Sequence, residues 1–210
     1  MRSEKFWDKI AARYAKRPVA DEEAYQQKLR VTREYLRPDM QVLEFGCGTG
    51  STAIAHAPYV QHIRAIDVSA NMIAIAQDKA RADGIENVTF EKLTIEELDV
   101  PDASFDAVLG LSILHLLEDK EAVIARVHRI LKPGGIFVSS TACIGDSMKY
   151  FRIIAPVLSF VGLPSVSVFK VEELEQILTA AGFTIDHQWQ PGRGAAVFIV
   201  AVNAQKATPG

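Results

Sequence analysis

The chain has 210 residues, room for one α/β domain and short of two at roughly 150 residues each. Apolar residues make up 49% and charged residues 23%, ordinary globular usage that excludes a disordered, fibrous or coiled-coil chain. Lys plus Arg number 23 against 26 Asp plus Glu, a formal net charge of −3; this gives no global attraction to phosphate backbones or anionic lipid and argues against nucleic acid as a partner.

Phe6, Ile10 and Tyr14 recur at helical spacing with Trp7 and Ala11 beside them, while Lys5, Lys9, Arg13 and Lys16 fall elsewhere, which predicts an amphipathic helix ending before Pro18. The same run lacks the apolar core of a secretory signal. Asp21 followed by Glu22 and Glu23 reads as an N-cap with an acidic first turn, and Tyr25, Leu29, Thr32 and Leu36 share one face of a second helix that stops at Pro38. From Met40 the pattern changes to short apolar runs separated by helical stretches, the alternation of parallel strands and crossover helices. The expected strands are 42–45, 62–67, 88–91, 105–110, 136–141, 184–190 and 195–202. Helices are expected at 50–57, 70–82 before Gly84, 120–131 before Pro133-Gly134-Gly135, and 171–181 before Gly182.

Residues 142–170 break this alternation with a long apolar segment containing Pro, Gly and Ser, too long for an ordinary connector and therefore a lid or an oligomer contact. Its most membrane-like part, Phe151 to Phe169, contains Arg152 and two prolines, unlike a spanning helix of about 20 apolar residues. Gln205 to Gly210 reads as a loose tail. Cys47 and Cys143 lie 96 positions apart without a CxxC motif or a His-rich neighbour, so neither a disulfide framework nor a metal site is expected, and a cytoplasmic location fits.

The sharpest feature is Val42-Leu43-Glu44-Phe45-Gly46-Cys47-Gly48-Thr49-Gly50, a strand running into three alternate glycines and then a helix. Glycines there permit positive φ and remove the Cβ atoms that would hold a ligand away from the main chain. Seventeen residues after Gly50, Asp67 ends the next strand, where a carboxylate can accept from both hydroxyls of a ribose. A dinucleotide fingerprint would place Gly or Ala where Ser51 stands, and Glu44 would repel a pyrophosphate while suiting water or an ammonium group. A nicotinamide oxidoreductase is thereby disfavoured, the more so because no Tyr-x-x-x-Lys site is evident. A non-catalytic nucleoside-binding module remains an alternative to an enzyme.

These residues resemble the class I S-adenosylmethionine-dependent methyltransferases, particularly the small-molecule branch of ubiquinone-biosynthesis type, over roughly residues 4–200. Leu43 to Gly50 is similar to the family's first motif, Asp67 in Ala65-Ile66-Asp67-Val68-Ser69 to its ribose anchor, and Leu131-Lys132-Pro133-Gly134-Gly135 to the turn before its fifth strand. The resemblance implies a Rossmann-like, seven-stranded, mostly parallel sheet with helices on both faces and the last strand antiparallel. It implies S-adenosyl-L-methionine as cofactor and a small-molecule acceptor, with Glu44, Gly46, Cys47, Gly48, Gly50, Asp67, Val68, Met72, Thr94, Ile95 and Leu111 around the cofactor. Where the family carries an Asp near the adenine, this chain has Thr94, leaving the Ile95 amide and apolar contacts to orient the ring. The domain then divides into an N-terminal helical cap (1–38), a cofactor-binding half (39–141), an insertion or lid (142–170) and a C-terminal helix with a strand pair (171–204), acting as monomer or homodimer.

A sulfonium methyl needs alignment and water exclusion more than acid–base help. A base serves only an acceptor that must lose a proton. His115, in Leu111-Ser112-Ile113-Leu114-His115, is the candidate, either as that base or as an imidazole fixing its loop. The resemblance also brings Tyr14, in Ala11-Ala12-Arg13-Tyr14, over the cofactor; its alternative is an aromatic continuing the Phe6 and Ile10 face. Trp7 reads as packing, and His56, His62, His128 and His187 as surface or core residues outside any triad.

Overall fold

A computed structural model describes residues 2–142, 170–192 and 195–204. The expected insertion at 142–170, apart from its two end residues, and the expected tail lie outside the described residues. The chain divides into two compact units, Met1–Leu98 and Asp99–Gly210.

The first unit contains α1 (Arg2–Ala15), α2 (Glu22–Tyr35), β1 (Gln41–Phe45), α3 (Ser51–His56) with a 3-10 turn at Ala57–Tyr59, β2 (His62–Asp67), α4 (Ala70–Ala82) and β3 (Val88–Lys92). Asp21 caps α2 by accepting from the Ala24 amide at 2.9 Å, and Ser69 caps α4 by accepting from the Met72 amide at 3.1 Å. β1 and β2 pair in parallel with Val42 opposite Ile63 and Phe45 opposite Ile66; β3 lies parallel on the other side of β2. Leu43, Phe45, Ile63, Ala65 and Ile66 are all buried, as the near-continuous apolar runs of a strand covered on both faces require.

Two expectations change here. The glycine turn takes up Gly50, so α3 starts at Ser51 and gives way to the 3-10 turn containing Pro58. On α1 it is Ala11 that is fully buried, whereas Tyr14 is 45% exposed and meets Trp7 edge to face. α1 packs on α4, and the small Ala11 side chain suits that close approach. The Phe6, Ile10 and Tyr14 stripe is therefore not the buried face throughout.

The second unit contains β4 (Phe105–Leu111), a 3-10 turn at Leu114–Leu116, α5 (Lys120–Ile130), β5 (Leu131–Ala142), α6 (Val171–Ala180), β6 (Phe183–Trp189) and β7 (Ala196–Asn203). β4 and β5 are parallel, and β7 runs antiparallel to both β5 and β6. Val123, Ile124, Val127 and Ile130 of α5 are buried, as are Phe137, Val138, Ile199 and Val200 of the strands. The Leu131-Lys132-Pro133-Gly134-Gly135 run differs from the expected helix end and turn, because β5 already begins at Leu131, opposite Phe105, and the register shifts before Ala107. Gly134 has φ +75° and Lys132 pairs with Asp106 at 2.9 Å, so the bend is absorbed inside the strand as an irregularity. The seven strands take the order β3-β2-β1-β4-β5-β7-β6 in a mixed, mostly parallel sheet. No helix among the described residues is long and apolar enough to cross a membrane.

Candidate functional site

β1 ends at Phe45 and the backbone turns through Gly46, Gly48 and Gly50 at φ +66°, +54° and +75°, conformations in which side-chain-bearing residues are strained. The Cys47 amide donates to the Ile66 carbonyl at 3.0 Å, and the Gly50 amide to the Cys47 carbonyl at 3.0 Å. The Gly48 amide donates to Asp67 Oδ2 at 2.8 Å, while the Ser69 amide donates to Asp67 Oδ1 at 2.9 Å. Asp67 thus ties the glycine turn to the end of β2 and the start of α4, and each oxygen keeps a lone pair for a further donor.

The glycines do different work. A Cβ at Gly48 would meet nothing within 4 Å, which leaves the turn open to a ligand, whereas one at Gly50 would lie 2.7 Å from the Phe90 ring and 2.8 Å from Ala76 Cβ. Gly50 therefore lets the turn pack on β3 and α4. Replacing Gly50 by Ala should destabilise the fold by roughly 2–4 kcal/mol through overpacking plus left-handed strain. Urea unfolding checks this, and an unchanged midpoint would show that the turn relaxes freely.

Glu44 and Asp67 are both buried, at 3% and 8% exposure. Burial first and the neighbouring Asp67 charge second push the Glu44 carboxyl up to about 8, against a hydrogen bond from the Ala53 amide. The expected Glu44 carboxylate is consequently protonated for the most part at neutral pH in this structure, since its surroundings do not compensate a charge. Its Oε2 is buried without a partner among the described residues, a polar atom that a ligand could satisfy, and a cationic ligand group there would favour the charged carboxylate. Asp67 is also raised, by burial, although the Ser69 and Gly48 amides oppose this. Burial pushes the Cys47 thiol up as well, which disfavours the thiolate form of this small, buried side chain.

The Leu93 amide donates to the Asp67 carbonyl at 3.0 Å, so the segment leaving β3 starts alongside Asp67. Ile95 in that segment is buried. Thr94 and Glu97 bond reciprocally, the Thr94 amide to Glu97 Oε2 at 3.1 Å and the Glu97 amide to Thr94 Oγ1 at 3.3 Å. Acceptance of an adenine amino hydrogen by Thr94 would share its oxygen with that turn. Val68 is half-buried, and Met72 is buried on α4. Sequence reasoning missed two residues. Lys79 reaches the turn from α4, donating to Thr49 Oγ1 at 2.9 Å and Ser51 Oγ at 3.2 Å. Asp8 on α1 accepts from Ser69 Oγ at 2.6 Å and from the Asn71 amide at 3.1 Å. No local sequence signal marks a contact between residues 8 and 69.

In the second unit, Leu111 ends β4 opposite Ser140, and Ser112 follows with φ +59°. His115 sits in the 3-10 turn, half-buried, and burial alone lowers its pKa. Its Nδ1 has no partner among the described residues. A neutral imidazole with an available nitrogen is a competent base. The other histidines fit the expected core and surface roles: His56 is buried, His62 bonds to Thr89, His128 packs edge to face on Phe183 and His187 on Phe198. No cluster of potential metal ligands occurs among the described residues.

Residues 42–135 match the family model described as a methyltransferase domain, and this stretch holds the glycine turn, Glu44, Asp67 and His115. The match spans just under half of the chain, which over that stretch is similar to methyltransferase domains. It is 34% identical over 149 residues to the 27-O-demethylrifamycin SV methyltransferase of Amycolatopsis mediterranei, covering 70% of this chain and 55% of that protein. It is 34% identical over 103 residues to the ubiquinone/menaquinone biosynthesis C-methyltransferase UbiE of Vibrio campbellii, covering 47% of this chain and 40% of that protein. The fold is similar to the crystal structure of YcgJ protein from Bacillus subtilis, with a TM-score of 0.72 at 20% identity over 86% of this chain and all of the other. The chain thus spans only about half the length of these curated relatives. S-adenosylmethionine is the cofactor that the resemblance implies, and the residues present fit it: an open glycine turn, a carboxylate at Asp67 bonded to that turn, and a buried acid with an oxygen unpartnered among the described residues.

Proposed function

We propose that this chain transfers a methyl group from S-adenosylmethionine to a small apolar or amphiphilic molecule. The observation that carries the reading is the turn at Gly46–Gly50 bonded to Asp67 beside Glu44: main chain open to a nucleoside, a carboxylate for ribose hydroxyls, and an acid whose free oxygen suits an ammonium. When bound, the cofactor supplies a sulfonium methyl already activated for in-line transfer. Asp67 and Glu44 would fix the two polar ends of that molecule, Gly48 would admit it to the main chain, and the Ile95 amide and side chain would orient the adenine. His115 is the residue proposed to take the acceptor's proton, its imidazole being neutral and its Nδ1 unengaged among the described residues. The acceptor class is supported by the apolar sequence of Phe151, Ile153, Ile154, Val157, Leu158 and Phe160, and by relatives named for a rifamycin and a quinone.

Calorimetry with S-adenosylhomocysteine tests the cofactor reading, and absence of binding overturns it. Transfer of labelled methyl into organic-soluble extract distinguishes an enzyme from a non-catalytic module. His115→Gln should lower turnover on a proton-bearing acceptor by about 10²–10⁴-fold with the S-adenosylhomocysteine affinity retained. Unchanged turnover would assign His115 to its loop.

A further inference from the structure

We infer that α1 is a latch on the ribose anchor, and that Asp8 is a positioning residue for cofactor binding. The inference rests on reading Asp67 as that anchor. Asp8 lies seven residues into α1 and accepts from two groups at the start of α4: Ser69 Oγ at 2.6 Å and the Asn71 amide at 3.1 Å. Asn71 returns a hydrogen bond from its side chain to the Asp8 carbonyl at 3.0 Å. Asp8 thus supplies, from a distant part of the chain, an acceptor and a negative charge to the N-terminal turn of a 13-residue helix.

Ser69 makes this contact matter for the site. Its side chain is fully buried and its hydroxyl has one proton, which it gives to Asp8 while its oxygen caps the Met72 amide. Its own amide goes to Asp67 Oδ1, and Asp67 Oδ2 takes the Gly48 amide. A continuous chain of hydrogen bonds therefore runs Asp8, Ser69, Asp67, Gly48, from α1 to the glycine turn. Without Asp8 the buried Ser69 hydroxyl must find another acceptor, and Asp67 is the carboxylate to which Ser69 is already bonded. Turning toward it would consume a lone pair that ribose hydroxyls require and would release the Met72 cap. The Glu4–Lys92 pair at 2.6 Å is a second tether for α1, but it is solvent-accessible and contributes little on its own.

If α1 docking and cofactor binding share this chain, each strengthens the other by the same factor. The test compares wild type, Asp8→Ala, Asp8→Asn and Asp78→Ala, the last removing an exposed α4 carboxylate that pairs with Arg81 at 2.8 Å. S-adenosylhomocysteine affinity is read by calorimetry, and amide exchange of α1 by mass spectrometry with and without ligand. Asp8→Ala should weaken binding about 5- to 10-fold and lose the ligand-induced slowing of α1 exchange. Asp8→Asn, which keeps an acceptor oxygen, should recover most of both, and Asp78→Ala should match wild type. Wild type that does not bind S-adenosylhomocysteine would overturn the cofactor reading itself. Wild type that binds, with Asp8→Ala binding equally well or α1 exchange indifferent to ligand, would overturn the latch alone.

Discussion

Asp67→Ala should lower S-adenosylhomocysteine affinity by about 10²–10⁴-fold, because the two charge-assisted hydrogen bonds it is proposed to make to the ribose are lost, each contributing roughly 1.5–3 kcal/mol. The same change should destabilise the free protein. Asp67 accepts from the Gly48 and Ser69 amides, and orphaning such buried donors costs about 1–3 kcal/mol each. Asp67→Asn separates the two effects: its remaining oxygen can hold one amide, so stability should recover in part while ribose recognition stays weak. Calorimetry and urea unfolding of both variants give the two readings independently. An alanine variant that binds within a fewfold of wild type would remove Asp67 from the ligand site, whatever its stability.

Rising pH should weaken the fold through Glu44. Its folded-state pKa of about 8 lies above the ordinary 4.5, so the unfolded chain releases this proton first. The stability associated with the protonated acid is complete below 4.5 and is lost as pH rises through about 8. At ~1.4 kcal/mol per unit, this one group should make the protein on the order of 3 kcal/mol less stable at pH 8.5 than at pH 5.5. Asp67, raised in the same direction by its burial, adds to the trend. Urea midpoints at the two pH values should diverge in wild type and converge in Glu44→Gln, which keeps the shape and the neutral charge of the protonated acid. A glutamine variant with the wild-type slope would place the titration elsewhere.

Much of the fold was legible because its signals are local. Strand β2 and helix α4 fall on the residues expected, 62–67 and 70–82, since an apolar run, an acidic strand end and a glycine stop bracket them. Asp21 announced its helix in the same way. Errors arose where tertiary packing decides. The bend at Lys132–Gly135 looks like a turn in sequence, yet pairing with Phe105 keeps it in the strand. Tyr14 continues an apolar stripe, yet it is 45% exposed while its neighbour on that face, Ala11, is buried. Within the candidate site, spacing brings out the glycine turn and Asp67, which the structure bonds to each other, but the Glu44 protonation state depends on burial and on the Asp67 charge. The Asp8 contact joins residues 61 positions apart and has no local pattern to betray it.

The glycine turn is already held by the Ile66 carbonyl, the Asp67 carboxylate and the packing beneath Gly50. Ordering of this loop is therefore achieved during folding and need not be repeated each time a ligand arrives. A site of this kind behaves as a fixed template: it gains affinity from rigidity, but it adapts poorly to a nucleoside of different shape. In the proposed site the preformed turn therefore fixes where a nucleoside can approach the main chain, and the Asp67 carboxylate held against it adds the recognition of its ribose.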